Sequence, residues 1–187
     1  MRISRPRPSR ARSWATLLPG GTQSIILTGQ LGSVMQESAR AAVSHIRAHA
    51  EELGVSPEFL GKHDLHIHVP AGAIPKDGPS AGVTIATALL SAIRQEPVVE
   101  DVAMTGEITL SGLVLPVGGI REKALAARRQ WIKTFVLPER NLADVSELPA
   151  EVKESMRFVP ARTVEDVLRV ALPDSQRTKV ASGTFHS

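Results

Sequence analysis

Strand-like and helix-like segments alternate along the chain from about residue 22 to residue 171, and this alternation most constrains the fold. The strand-like segments are TQSIILTG, DLHIHVP, VAMTGEI, GLVLPVGG, TFVLP and RFVP. Helical spacing of apolar residues predicts helices over about 29–52, 80–94, 120–130 and 164–171. The alternation predicts a single α/β or α+β domain in which the helices pack around one sheet.

The two ends of the chain differ in composition from the part between them. Five arginines and no acidic residue occupy the first twelve positions, so removing them from the net charge of +3 leaves −2 for the rest. We expect an Arg-rich disordered tail over 1–18, a folded domain over 19–173 and a flexible tail over 174–187. Because the positive charge is concentrated in the first tail, nucleic-acid binding by the folded domain is not expected.

Composition also excludes several classes of protein. Cysteine is absent, which excludes disulfides, thiolate metal sites and a cysteine nucleophile. The absence fits a reducing compartment, and we expect a cytoplasmic protein. The longest uncharged stretch, 78–93, is shorter than the roughly 18–20 apolar residues that span a bilayer, so we expect no membrane association.

The segment IPKDGPSAGV places Ser80 between a Gly-Pro turn and the start of a predicted helix. Gly78 allows a ligand to approach the backbone closely, and Pro79 fixes φ at the first helical position. The free N–H groups at a helix start suit the oxyanion of a tetrahedral intermediate, which favours Ser80 as a nucleophile. Serine and proline are also common at ordinary helix starts, so a simple capping role for Ser80 stays open.

A serine nucleophile needs a base, and Lys123 is the best placed candidate. At helical spacing it lies at the edge of the apolar stripe formed by Ile120, Ala124 and Ala127. A desolvated lysine favours its neutral form and can then accept the serine proton, as in known serine–lysine pairs. A lysine that extends its amine to solvent fits the same pattern equally well.

The histidines are weaker candidates for the base. His45 and His49 are four residues apart on a predicted helix, but the glutamate of a zinc-protease motif is missing, and we expect both on a solvated face. His66 and His68 share one face of the predicted DLHIHVP strand. The sequence places no carboxylate that would orient either of them.

Together these motifs resemble the proteolytic domain of ATP-dependent Lon proteases. The resemblance covers about residues 19–173, and its most specific blocks are PKDGPSAG and TGEITLSGLVLPVGGIREK. It implies an α/β domain of the kind shared with ribosomal protein S5 domain 2, a serine endopeptidase that cleaves unfolded proteins, and assembly as a hexamer. It also implies that Ser80 is the nucleophile and Lys123 the base.

Carried over residue by residue, the resemblance implies five supporting residues. Thr105 is expected to hold the lysine amine through its hydroxyl, and Glu107 to lie beside the dyad. Asp77 is expected in a mobile loop that switches between blocked and open sites. His66 and His68 are expected to line the substrate groove.

The chain also departs from the family pattern. It contains no phosphate-binding G-x-x-x-x-G-K-[ST] loop, so we expect no cofactor in this chain, with ATP and Mg acting only through an ATPase region or partner. The Arg-rich start is expected to replace the first strand pair of the domain, which would weaken folding. Two alternatives remain open: a small-molecule kinase whose KDGPSAGV loop binds phosphate, and a catalytically silent interaction module.

Overall fold

A computed structural model describes residues 15–29, 31–69 and 77–172 of the chain. The strands are β1 Ala15–Pro19, β2 Ile25–Thr28, β3 His63–His68, β4 Val102–Met104, β5 Glu107–Ile108, β6 Val114–Leu115, β7 Thr134–Pro138 and β8 Arg157–Ala161. The α-helices are α1 Ser33–Ala48, α2 Pro57–Gly61, α3 Gly82–Arg94, α4 Ile120–Arg129, α5 Leu142–Ser146, α6 Ala150–Ser155 and α7 Val164–Ala171. The mixed α/β class is confirmed.

The first sheet has the order β1-β3-β2, with β3 antiparallel to β1 and parallel to β2. Along β3 the apolar side chains alternate with the histidines, as the sequence pattern predicts. Leu65 and Ile67 are each 1% exposed and pack into a core shared with α1, α3 and α7. The histidines therefore lie on the opposite face of this sheet.

The second sheet has the order β4-β7-β8 and all its strands are parallel. Its central strand β7 is the predicted TFVLP segment, and Phe135, Val136 and Leu137 are buried. One side of β7 packs against α4 and α6 through Phe135 and Leu137. This burial of a continuous apolar strand is typical of parallel sheets that are covered on both faces.

The prediction of one sheet was wrong, because the described residues form three. The segment VAMTGEI was expected as a single strand, but β4 ends at Met104 and β5 begins at Glu107. Between them Thr105 donates its backbone N–H to Val136, whereas Gly106 donates to the carbonyl of Ser80. The chain thus leaves the second sheet to bond the serine turn, and then forms the two-stranded β5-β6 sheet.

The start of the folded part also differs from the prediction. Residues 15–18 were assigned to the tail that replaces the first strands, but they form most of β1, which pairs along its whole length with residues 63–67 of β3. Ala15 and Leu17 pack against the core that contains Leu65 and Ile67. This alternation is too short, next to the Arg-rich segment, to give a clear strand signal in the sequence. Most of the predicted tails, 1–14 and 174–187, lies outside the described residues.

The helix boundaries moved for local reasons. The first helix was expected over about 29–52 but spans Ser33–Ala48. Gly29 instead lies against the β3 end of the sheet, where an added Cβ would come within 2.1 Å of the Val69 carbonyl oxygen. The second helix was expected from Ser80, which lies in a 3-10 turn, Pro79–Ala81, before α3 begins at Gly82.

Candidate functional site

Ser80 lies at the centre of the 3-10 turn that leads into α3, and its side chain is half-buried. Gly78 enters this turn with φ of 131° and ψ of 154°, a conformation that favours glycine. Pro79 follows at the first position of the turn, and its carbonyl accepts the N–H of Gly82. The DGPSAG sequence therefore folds as a tight turn that holds the serine at the start of a helix.

Hydrogen bonds from α1 and from the β4–β5 connection fix the carbonyls of Pro79 and Ser80 in the serine turn. The Ser38 hydroxyl on α1 donates to the Pro79 carbonyl over 3.2 Å. The Ser80 carbonyl accepts the Thr105 hydroxyl over 3.2 Å and the Gly106 N–H over 3.0 Å. Because Thr105 is only 4% exposed, its hydroxyl bonds inside the protein rather than to solvent. The nucleophile candidate is thus held by α1 and by the β4–β5 connection.

Glycine is required where α3 passes β5. A Cβ added at Gly82 would lie 2.7 Å from Cγ2 of Ile108 and 2.9 Å from its backbone nitrogen. These distances are far below ordinary van der Waals contact, so the helix reaches β5 only because residue 82 has no side chain. The second glycine of the DGPSAG sequence, Gly82, therefore serves packing, and it fixes the position of the serine turn.

Asp77 caps the N-terminus of α1. Its Oδ1 atom accepts the N–H of Met35 over 3.1 Å and the N–H of Gly78 over 2.9 Å. The helix has Gly32 at its N-cap position, which supplies no side-chain bond. A Cβ at residue 32 would lie 2.2 Å from Cγ of Asp77, so the glycine makes room for this carboxylate. A negative charge at this end also complements the helix dipole.

Lys123 lies on the first turn of α4 and is half-buried, as its position at the edge of the apolar stripe predicts. Its Nζ atom donates to the Gly118 carbonyl over 2.7 Å. Partial burial lowers the pKa of the Lys123 ammonium below its ordinary value of 10.5, and the charge of Glu122 opposes part of this change. Neutral amine is therefore more abundant here than on an exposed lysine.

The elements that position Ser80 and Lys123 both contact the strand β7. Thr105, which bonds the Ser80 carbonyl, also donates its N–H to Val136 of this strand over 3.0 Å. On the other side, Ile120 and Ala124 of α4 belong to the core that contains Phe135 and Leu137. Within the described residues the two side chains form no hydrogen bond with each other, and the amine of Lys123 bonds the Gly118 carbonyl.

The expected contact of Thr105 is different from the one found. The resemblance implied that its hydroxyl holds the lysine amine, but in the described part of the chain this hydroxyl bonds the Ser80 carbonyl. The physical reason is the break between β4 and β5, which turns Thr105 inward beneath the serine turn. Thr105 therefore positions the backbone of Ser80.

The remaining predicted residues lie on two different strands. Glu107 is half-buried on β5, opposite Leu115 of β6. His66 is half-buried and His68 exposed, and the Thr28 hydroxyl bonds Nε2 of the first over 2.9 Å and Nδ1 of the second over 2.8 Å. A threonine, rather than a carboxylate, thus orients both imidazoles.

The solvated face predicted for His45 was wrong. His45 is 1% exposed, and its Nδ1 atom lies 3.2 Å from the Leu110 carbonyl oxygen. Gly112 leaves room for the ring, because a Cβ there would lie 2.4 Å from it. His49 is half-buried beside it, with Nδ1 bonded to the His45 carbonyl over 3.0 Å. Across residues 15–29, 31–69 and 77–172, no group of three or more potential metal ligands could hold an ion.

Sequence reasoning missed Ser38, Gly32 and Gly118. Ser38 had a detectable signal, because it falls on the buried face of α1 between Met35 and Ala42. A buried serine on such a stripe indicates a specific hydrogen-bond partner. The glycines carried no comparable signal, since their roles depend on segments far away in the sequence.

Comparison with known proteins decides the family. The family model for the Lon protease (S16) C-terminal proteolytic domain matches residues 14–174. The chain belongs to this family. It is 58% identical over 163 residues to a Lon protease of Nitrosococcus oceani, which covers 87% of this chain and 21% of that protein. A Lon protease of Desulfatibacillum aliphaticivorans is 51% identical over 88% of this chain and 20% of its own length.

The chain spans only about a fifth of the length of these Lon proteases. A third relative, the Lon protease of Chloroflexus aurantiacus, is 55% identical over 81% of this chain and 18% of its own length. In the described ranges no helix combines the length and the apolar character needed to cross a membrane.

Proposed function

We propose that this chain is a serine endopeptidase that hydrolyses peptide bonds with a Ser80–Lys123 dyad. The observation that carries the proposal is the construction of the serine turn, whose Pro79 and Ser80 carbonyls are fixed by the side chains of Ser38 and Thr105. A simple helix cap needs no such support from two other elements. Membership of the Lon proteolytic-domain family supports a peptidase.

In the proposed reaction, neutral Lys123 accepts the proton of the Ser80 hydroxyl as its oxygen attacks the substrate carbonyl. Backbone N–H groups of the serine turn stabilise the oxyanion, and one such donor contributes about 3–4 kcal/mol to transition-state stabilisation. Lys123 then returns the proton to the leaving amine. Water releases the acyl group from Ser80, with the same lysine as base.

The other predicted residues receive supporting roles. Thr105 and Asp77 position the serine turn, one through the Ser80 carbonyl and the other through the N-terminus of α1. His66 and His68 line a groove for the extended substrate, with Thr28 fixing their rings. Glu107, on β5, is proposed as a supporting residue beside the Ser80–Lys123 dyad.

The wider setting follows from the family resemblance. We propose the ribosomal protein S5 domain 2-like topology, unfolded or misfolded proteins as substrates, a hexamer as the assembly and the cytoplasm as the location. The relatives are named Lon proteases, and this chain matches about a fifth of their length. Energy-dependent unfolding would then depend on an ATPase region or partner that binds ATP and Mg. We propose no bound cofactor, no membrane association and no nucleic-acid partner for the folded domain.

The decisive experiment measures cleavage of β-casein, an unstructured protein, in the absence of ATP. Mass spectrometry would compare the native chain with Ser80→Ala and Lys123→Met, and with Ser44→Ala as a control on the exposed face of α1. The proposal requires slow cleavage that both site variants lose and the control keeps. Cleavage that survives Ser80→Ala refutes the dyad, and no cleavage by a folded native chain favours a catalytically silent module.

A further inference from the structure

The C-terminal end of α4 forms an open apolar groove on the surface. Its volume is about 380 Å³, and it continues under the connection from α4 to β7. Leu125 and Ile132, which pack at the edge of the core that contains Phe135 and Leu137, form its apolar floor. The side chains that line it further are Trp131, Arg128, Arg129 and Lys133. An apolar floor below cationic side chains is a combination that suits an amphipathic anionic ligand.

Trp131 is unusual in both exposure and backbone conformation. Its side chain is 70% exposed, and its φ of 63° lies in the left-handed region that glycine adopts most easily. This conformation strains an L-residue, and core packing does not compensate for the strain at so exposed an indole. A glycine would close the same turn without strain. Packing among the described residues therefore does not account for a tryptophan at this position.

The charges around the groove are only partly neutralised. Arg128 forms an ion pair with Glu151 over 3.0 Å. Arg129 and Lys133 are exposed and form no ion pair with an acidic side chain of the described residues. Basic residues in the last turn of a helix are favoured by its dipole, which accounts for the two arginines. The dipole does not account for Lys133 or for the exposed indole.

We propose that this Trp131 groove, formed by Leu125, Arg128, Arg129, Trp131, Ile132 and Lys133, binds an acidic peptide segment of a partner protein through an apolar anchor residue. The anchor enters the apolar floor beside the indole, and the neighbouring carboxylates pair with Arg129 and Lys133. The Arg-rich start of this chain has the wrong sign to fill the groove. Single-stranded nucleic acid is less well matched, because it needs successive stacking platforms along a continuous cationic track.

The test uses a fluorescein-labelled acidic peptide with a central Leu-Phe pair, titrated with the full chain and followed by fluorescence anisotropy. We expect saturable binding that falls roughly tenfold or more for the double variant Arg129→Glu and Lys133→Glu. The control Arg121→Glu carries a comparable reversal at the other end of α4 and should bind normally. A peptide with Ser-Ser in place of Leu-Phe should bind much more weakly.

Trp131→Gly separates binding from structure. Because glycine accepts φ of 63°, we expect the variant to have an unchanged or higher Tm and to lose peptide binding. Binding that persists in both the charge-reversal and the Trp131→Gly variants belongs to the Arg-rich start and overturns the proposal. Tighter, Arg129-dependent binding of an oligo-dT probe overturns it in favour of nucleic acid. These outcomes do not depend on whether the Ser80 site is active.

Discussion

Removing the hydroxyl of Thr105 tests whether its hydrogen bond to the Ser80 carbonyl positions the serine turn. Thr105→Val keeps the shape of the side chain and deletes the 3.2 Å bond to the Ser80 carbonyl. That carbonyl still accepts the Gly106 N–H over 3.0 Å, so it is not left without a partner. The expected loss is therefore that of one net hydrogen bond, about 1 kcal/mol in the free energy of unfolding. For a chain of this size the Tm falls by about 2–4 °C.

The effect on catalysis is expected to be larger than the effect on stability alone would suggest. With a looser Ser80 carbonyl, the Ser80 hydroxyl and the N–H groups of its turn would depart from the geometry that the proposed attack on the substrate requires. A cost near 1.4 kcal/mol in the transition state corresponds to about a tenfold lower kcat. The KM for a peptide substrate should change little, because Thr105 is buried and its hydroxyl bonds inside the protein.

Thr87→Val provides the matched control. Thr87 is 2% exposed, and its hydroxyl donates to the Val83 carbonyl over 2.8 Å, within α3 and without a contact to Ser80. The Thr87→Val variant should lose a similar free energy of unfolding and retain the native kcat. Thr105→Ser keeps the hydroxyl and should therefore retain most of the activity. Equal kcat values for Thr105→Val and Thr87→Val would refute the positioning role.

Four further predictions follow from the site and the core. Glu122→Gln removes the charge that opposes the lowered pKa of Lys123, so the acid limb of the kcat/KM profile should move to lower pH; an unmoved limb argues against this lysine as the base. Burial of protonated Lys123 destabilises the folded chain, and this penalty disappears as the pH rises through the lowered folded pKa towards 10.5. In urea unfolding at a series of pH values, the stability of Lys123→Met relative to the native chain should therefore decline over that interval. A relative stability that rises with pH would contradict a lowered pKa. Gly32→Ala must displace Asp77 and should lower both Tm and kcat, so an unchanged Tm would show that the carboxylate is not needed there. Leu137→Ala, at a position with 0% exposure, should cost about 2–5 kcal/mol of unfolding free energy in a denaturant titration.

Local patterns in the sequence predicted most elements but not the way they join into sheets. The alternation of Leu65 and Ile67 with the histidines identified β3, and the run TFVLP identified β7, because burial on one or two faces leaves a direct periodic signal. The separation into three sheets depends on Thr105 and Gly106 bonding different partners. Those partners are at least 25 residues away in the sequence, so no local pattern contains them.

In the candidate site, too, the sequence predicts the features set by neighbouring residues but not those set by distant ones. The turn around Ser80 and the half-buried position of Lys123 follow from short-range spacing. The side chains that fix the turn come from elsewhere: Ser38 lies 41 residues before Pro79, and its partner is a carbonyl that a sequence cannot single out. His45 was misplaced for the same reason, since its burial depends on space left by a distant glycine.

The contact between Lys123 and Gly118 is compatible with a role as base, although it occupies the amine. A neutral amine has two N–H donors and one lone pair, so it can keep the 2.7 Å bond to the Gly118 carbonyl and present the lone pair elsewhere. Burial favours the neutral form and lowers the pKa of the amine, whereas the charge of Glu122 favours the ammonium form and opposes part of this change. A peptide bound over Ser80 would exclude further water from Lys123. The neutral fraction should then rise at the stage of the reaction when the serine needs a base, so the acid limb of kcat should lie at lower pH than that of kcat/KM.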